Sequence, residues 1–288
     1  MNKLGNKNIV KKMFGNKEVL KEVLNGSVIY SAEEELPAYV MFSSPESIMI
    51  VANNPSSAHD GTIEYSRDGI EWTTWNHSPV GGTKVYFRGI GNTYCRGSFA
   101  GSLTSFFNIT GSNVSVSGNL NALLDYQTEN LNLSDLSSNT FEYLFGNLTN
   151  LIDAKKLILP ATTLSSGCYN RMFAYCSNLI TLPKLQATTL ASNCYVSMFE
   201  GCTSLTQLPK LPVLNVSYGA YGNMFLNCTN IKLSETQTGE YQKPYRIPTT
   251  GEGTVSTMSL MSMFYNTGGT FTGTPEINTN YYTSNTIV

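Results

Sequence analysis

Apolar positions repeat with a period of 26 residues through the second half of the chain. The Met-Phe pairs at 172–173, 198–199 and 224–225 keep this interval, and so do the cysteines at 176, 202 and 228. Within one unit, Cys168, Met172 and Cys176 are spaced i, i+4 and i+8, which predicts an apolar stripe on a short helix. Because so short a helix is unstable alone, we expect stacked copies that bury their stripes against each other. The predicted core residues are Cys168, Met172, Phe173, Cys176, Cys194, Met198, Phe199, Cys202, Met224, Phe225 and Cys228.

A short extended segment, closed by a proline, follows each predicted helix. Residues 179–183 and 205–209 are the two clearest copies, and Lys184 and Lys210 stand directly after their prolines. These two lysines form a ladder of candidate ligand residues on the outside of the stack. Solvated surface lysines without a ligand are the alternative interpretation.

Less regular units flank the repeat. Residues 141–151 carry a partial unit at its start, and a further Met-Phe pair at 263–264 lies 39 residues after Met224. We therefore expect the repeat solenoid over residues 126–233. Residues 234–288 are predicted to hold an insertion or hairpin, a C-terminal cap and an extended tail rich in Thr, Asn and Tyr.

Short apolar runs alternate with turn signals over residues 36–125. The Asp68-Gly69 pair separates two strand-like runs, 63–66 and 71–75, which is a strong hairpin signal. The pattern predicts a small antiparallel β-sandwich, so that the fold class of the whole chain is α+β. Further strands and a short helical linker are predicted at 84–89, 114–118 and 119–125.

The first 35 residues hold a second, shorter repeat. Gly-Asn-Lys at 5–7 and at 15–17, and Asn-Gly-Ser at 25–27, recur at intervals of ten residues with apolar pairs between them. This pattern predicts three short strands, and an amphipathic helix over 16–24 is the alternative. Because so small a meander is marginal alone, it needs a partner surface, either in this chain or in another subunit. The candidate attachment residues are Gly5, Asn6, Lys7, Gly15, Asn16, Lys17, Asn25 and Gly26.

Composition changes this picture in two ways. Charged residues make up only 13 % of the chain and the formal net charge is -2, so no global field attracts nucleic acid. The six lysines of the first 21 residues are a possible basic arm, or solvated strand and turn residues. We expect no membrane span, because no apolar run is long enough, and no signal peptide, because the start lacks an apolar region.

The sequence contains few residues in the patterns that catalytic or metal-binding sites require. The cysteines match no Cys-x-x-Cys zinc pattern and His59 and His77 lie far from most of them, so no metal or cofactor is predicted. The cysteines are expected to be small apolar core residues at equivalent positions of successive units. The alternative is a series of disulfides or metal sites along the stack. Trp72 and Trp75 are candidates to stack on a sugar, or are core residues. No acid recurs with the repeat among Asp135, Glu142, Asp153 and Glu200, and we therefore expect no catalytic residues and no enzyme.

The unit Cys-Tyr-x-x-Met-Phe-x-x-Cys, followed by Leu-x-x-Leu-Pro, resembles the BspA-like leucine-rich repeats of bacterial surface proteins and gut-bacteriophage proteins. The match covers about residues 140 to 233. The strands at 64–72 and 84–89 resemble the β-domain placed before such repeats. The Gly-Asn-Lys start is similar to short N-terminal modules of phage tail, baseplate and receptor-binding proteins.

This resemblance implies a bacteriophage virion protein of the tail, baseplate or fibre. Residues 1–35 would attach it to other virion proteins, and the solenoid would meet a protein or glycan of the host surface. It would be a homo-oligomer on the particle, made in the host cytoplasm and released by lysis. The alternatives are a purely structural decoration protein without a ligand and a bacterial cell-surface adhesin.

Overall fold

The computed structural model describes residues 7–14, 17–24, 27–30, 37–53, 55–98, 104–128 and 137–288. The chain divides into two compact units, Met1–Pro37 and Ala38–Val288. The predicted segments 126–233 and 234–288, and the predicted segment 36–125 from residue 38 onward, therefore belong to one unit. No helix in the described ranges is long and apolar enough to cross a membrane.

The first unit is a three-stranded antiparallel sheet with strands in chain order. Its strands are β1 (Lys7–Phe14), β2 (Lys17–Leu24) and β3 (Ser27–Tyr30). A meander is therefore formed, and the alternative helix over 16–24 is wrong. Lys7 and Lys17 are the first residues of β1 and β2. The other candidate attachment residues, Gly5, Asn6, Gly15, Asn16, Asn25 and Gly26, lie outside the described residues.

The second unit begins with a seven-stranded sheet in the order β10-β9-β4-β7-β5-β6, with β8 also on β4. Within this sheet, β9 and β10 pair in parallel and the other described pairs are antiparallel. The sequence predicts a small antiparallel β-sandwich, whereas the structure joins these strands in one hydrogen-bonded sheet, in which the pairing of β7 with the long strand β4 shifts register between Ser43 and Ile48. The first half of β4 pairs with β9 and its second half pairs with β8, so β8 and β9 belong to the same sheet. The strands are β4 (Val40–Ala52), β5 (Thr62–Ser66), β6 (Thr73–Thr74), β7 (Val80–Ile90), β8 (Phe107–Thr110), β9 (Val114–Asn119) and β10 (Leu151–Ile158).

The predicted hairpin and helical linker are both formed. Strands β5 and β6 pair across the turn at Asp68, whose Oδ1 accepts hydrogen bonds from the N–H groups of Ile70 (2.8 Å) and Glu71 (3.0 Å). Gly69 has φ +79°, which a residue without Cβ adopts at no steric cost. The linker is the 3-10 helix Leu120–Leu123, and the described residues include only one α-helix, α1 (Pro55–Ala58).

The predicted helices of the repeat are wrong: these segments are chains of turns. Tyr169, Arg171 and Tyr175 have positive φ, which an α-helix does not allow. As a result, successive backbone N–H groups donate hydrogen bonds alternately within their own coil and to a neighbouring coil. The Met172 N–H donates to Tyr169 O in its own coil (3.1 Å), whereas the Phe173 N–H donates to Met198 O in the next coil (3.0 Å). Because about half of the N–H groups point along the stack, each coil supplies carbonyl acceptors to the backbone N–H groups of its neighbour. The chain as described is therefore β-rich with almost no helix.

Aromatic columns fill the interior of the stack. Phe145, Phe173, Phe199, Phe225 and Phe264 stack in sequence with ring centroids 5.3 to 5.7 Å apart. A second column, stacked at 5.8 to 5.9 Å, consists of Phe141, Tyr169, Tyr195 and Tyr221. The first column begins in the sheet, where the Phe107 ring lies 6.1 Å from that of Phe145. Sheet and coils therefore share one continuous core.

The C-terminal segment closes the last coil. Phe264 stacks on Phe225 although 39 residues separate them, and the extra length contains two short strands, β14 and β15. Strand β16 lies between β13 and β14, while β17 pairs with β11 and β15 with β12. These strands are β11 (Gln207–Leu208), β12 (Asn215–Val216), β13 (Leu233–Ser234), β14 (Lys243–Arg246), β15 (Thr254–Val255), β16 (Asn280–Thr283) and β17 (Thr286–Ile287).

Candidate recognition surface

The two tryptophans are engaged within the protein. Trp75 is 2 % exposed and its indole N–H donates to Ser78 O (2.8 Å), so the proposed sugar stacking at Trp75 is wrong. Trp72 is half-buried, and the Arg88 guanidinium lies 4.1 Å from its ring centroid. Arg88 also lies 3.8 Å from the ring of Tyr126 and pairs with Glu64 at 2.6 Å. The face of the Trp72 ring is therefore already in contact with the Arg88 guanidinium.

Lys184 and Lys210 are exposed at equivalent positions of neighbouring coils. Each follows a buried leucine and proline and precedes another buried leucine, so the extended backbone directs each lysine away from the core. Neither lysine forms an ion pair with a described residue. The structure thus leaves both cations open to a ligand.

Lys156 extends this row into the preceding coil. A parallel bridge pairs Asp153 with Thr181, and Lys156 and Lys184 each lie three residues beyond it, so both follow the same edge of neighbouring coils. Lys156 is exposed, forms no ion pair within the described ranges, and is followed by the buried Leu157. The sequence comparison missed it because in this coil the Leu-Pro pair, at 159–160, follows the lysine instead of preceding it, and the coil is two residues longer. We call Lys156, Lys184 and Lys210 the lysine row.

The spacing of the lysine row follows the spacing of the coils. Stacked rings in the core repeat at 5.3 to 5.7 Å, and parallel strands lie about 4.8 Å apart. Like charges therefore recur from coil to coil without an acidic partner. A ligand that carries negative charges along its length would neutralise them together.

A shallow groove of about 480 Å³ lies at the start of the same extended segments. It combines amide groups of Asn150 and Asn178 with the apolar side chains of Ile152 and Ile180. Ile180 is 46 % exposed, which is high for a large apolar residue. Four residues separate Ile180 from Lys184, which is about 13 Å in an extended chain. Groove and lysine row therefore follow one edge of the stack.

The cysteines are free thiols within the core. Three of them donate their S–H to the phenylalanine carbonyl of the preceding coil: Cys176 to Phe145 O, Cys202 to Phe173 O and Cys228 to Phe199 O. Burial raises the pKa of Cys176 to about 12, so its thiol stays neutral and lacks the thiolate a nucleophile needs. Across the described ranges, no group of three or more His, Cys, Asp or Glu side chains converges as a metal cluster would.

Three acidic residues of the coils each accept a hydrogen bond from the neighbouring coil. Glu200 accepts a hydrogen bond from the Tyr175 hydroxyl (2.6 Å), and Asp153 accepts one from the Thr181 hydroxyl. Glu142 accepts one from the Asn170 amide (3.3 Å), and burial raises the pKa of this carboxyl. Asp135 lies outside the described residues.

The lysine row is exposed on one edge of the stack, while the thiols and the acids Glu142, Asp153 and Glu200 bond within the stack. Comparison with protein-family models, with curated proteins and with solved structures found no match.

Proposed function

We propose that this chain is a non-catalytic bacteriophage virion protein that recognises an acidic polymer on the host surface. Its stacked coils would be a leucine-rich-repeat solenoid, and its first unit, Met1–Pro37, would attach it to the particle. The observation that carries the proposal is the lysine row, because it repeats a free positive charge at the interval of the coils. A rigid stack holds such charges in line, so that binding does not have to order the backbone that carries them.

Two further observations support a binding role without catalysis. The repeated thiols and rings are buried as packing, which leaves the outside of the coils free to vary. The groove near the row combines polar Asn side chains with the exposed Ile180, a mixture that suits sugar rings. Because the acids Glu142, Asp153 and Glu200 each bond to the neighbouring coil, none is left as a free acid or base.

The binding proposal is tested with the intact chain and immobilised polygalacturonate as the acidic probe, with dextran as the neutral one. The double variant Lys184→Gln/Lys210→Gln should weaken binding to polygalacturonate at least tenfold, and adding Lys156→Gln should weaken it further. The control Lys84→Gln/Lys232→Gln removes the same charge from outside the row and should change binding less than twofold. Equal losses in both double variants, or equal binding to dextran, would contradict the proposal.

Particle attachment is tested separately by deleting residues 1–31. The truncated chain should be missing from purified virions while it keeps the affinity of the full chain for polygalacturonate. A truncated chain that still enters particles would refute the attachment role. A full chain that enters particles but binds no host cells would favour the purely structural decoration protein.

A further inference from the structure

The two histidines of the chain meet at one point of the sheet region. His59 follows α1 and precedes β5, whereas His77 lies in the connection between β6 and β7. Their Nε2 atoms are 2.9 Å apart and their ring centroids 5.2 Å apart. Because 18 residues separate them in sequence, the pairing is a product of the fold and could not be derived from their spacing.

The hydrogen bonds of His59 define which of its nitrogens carries the proton. Its Nδ1 lies 3.0 Å from the carbonyl oxygen of Gly61, and a carbonyl only accepts. Nδ1 must therefore hold the proton of the neutral ring, which leaves a lone pair on Nε2 directed at His77. A histidine that ligates a metal is commonly fixed in this way, by a backbone carbonyl on its other nitrogen.

The surroundings favour a neutral His77 ring and leave one side of the pair open to solvent. Trp75 lies 5.2 Å from the His77 ring and Phe106 lies 5.8 Å from the His59 ring, and both aromatic residues are buried. Burial, assisted by the neighbouring His59, lowers the pKa of His77, so this ring resists protonation. Both histidines remain half-exposed, so an ion reaches the pair from solvent.

We propose that His59 and His77 together bind a divalent transition-metal ion such as Zn²⁺ or Cu²⁺ through their Nε2 atoms. Zinc–nitrogen bonds are about 2.0 to 2.1 Å long, so two ligands at a tetrahedral angle stand roughly 3.3 Å apart. The pair therefore has to open by a few tenths of an ångström. The proton that His77 now shares through Nε2 moves to its Nδ1, so no net proton is released from the two neutral rings. Water completes the coordination, because the described residues supply no third His, Cys, Asp or Glu at this point.

This proposal is independent of the proposed host recognition and is tested by metal titration of the untagged full chain. We expect one Zn²⁺ per chain by calorimetry, with at least a tenfold loss of affinity in His59→Asn and in His77→Asn. Asparagine tolerates the positive φ of His77, and the control Asn76→Ala removes a neighbouring polar side chain without touching the pair. Loss of binding counts only in variants whose thermal unfolding in EDTA matches that of the wild type.

A second measurement needs no variant and therefore does not depend on folding. Because the sequence contains two histidines, imidazole ¹⁵N spectra of the wild type hold only their signals. Saturating Zn²⁺ should shift both Nε2 resonances together, and Cu²⁺ should give an electron paramagnetic spectrum split by two nitrogens. An unshifted Nε2 on either ring, or unchanged affinity in both variants, would overturn the proposal and leave a simple hydrogen bond between the rings.

Discussion

The sheet region of residues 38–128 and the stacked coils of residues 137–288 stabilise their interiors in different ways. In the coils, a stacked Phe and one set of backbone bonds recur from layer to layer, and a buried thiol recurs in three of the layers, so neighbouring layers resemble each other. In the sheet region, single polar residues hold particular loops, as Asn92 does. A substitution in the coils should therefore destabilise the neighbouring coils as well, whereas a substitution in the sheet region should destabilise only the loops that its hydrogen bonds hold.

The largest effect is expected in the middle of the aromatic column. Phe199→Ala removes a fully buried ring that stacks on Phe173 and on Phe225, and should lower the free energy of unfolding by about 3 to 5 kcal/mol. Urea unfolding followed by circular dichroism measures it. The control Ile70→Ala alters a side chain that is 76 % exposed and should cost little. Equal effects of the two changes would show that the column is not the core.

A somewhat smaller loss is expected from the polar network of the sheet region. The buried Asn92 donates to Thr62 O and Leu123 O and accepts from the Gly61 N–H, so it joins β5 to the 3-10 helix. Asn92→Ala leaves these groups unpaired and should cost about 3 kcal/mol. Hydrogen exchange should localise the damage to residues 59–63 and 120–124. Exchange that rises equally in the coils would contradict the contrast between the two regions.

A gain in stability is expected within the tyrosine column. The hydroxyls of Tyr169 and Tyr221 are buried and have no hydrogen-bond partner among the described residues, and Phe141 occupies the equivalent place in the first coil. Tyr221→Phe removes an unsatisfied group and should raise the free energy of unfolding by about 1 kcal/mol. Thermal and urea unfolding give the sign. A clear loss of stability would show that the hydroxyl has a partner after all.

The smallest effect concerns pH. Burial and the neighbouring His59 lower the pKa of His77 in the folded chain, so below about pH 6.5 the unfolded chain binds a proton that the folded chain resists. The contribution of His77 is therefore complete above that pH and is lost as the pH falls through the folded pKa. The urea midpoint should fall between pH 7.5 and 5.5, by less in His77→Asn. The same fall in both proteins would assign the effect to other groups.

The sequence predicted periodic features better than long-range ones. The 26-residue interval identified the buried Met, Phe and Cys positions, because a stacked repeat requires the same filler in each layer. It misidentified their local structure, because i, i+4 spacing describes a helix as well as turns with positive φ at Tyr169 and Arg171. The pairing of His59 with His77 and the register of Lys156 with Lys184 depend on loops and an extra pair of residues, which periodicity does not encode.

The central claim is that the coils bind along their outer edge and do no chemistry. Light scattering of polygalacturonate mixed with the intact chain at equilibrium tests both parts together. We predict a complex whose mass exceeds that of either component, and a polymer of unchanged molar mass after the complex is dissociated in high salt. A polymer that shortens with time, or the absence of any complex at low salt, would contradict the claim.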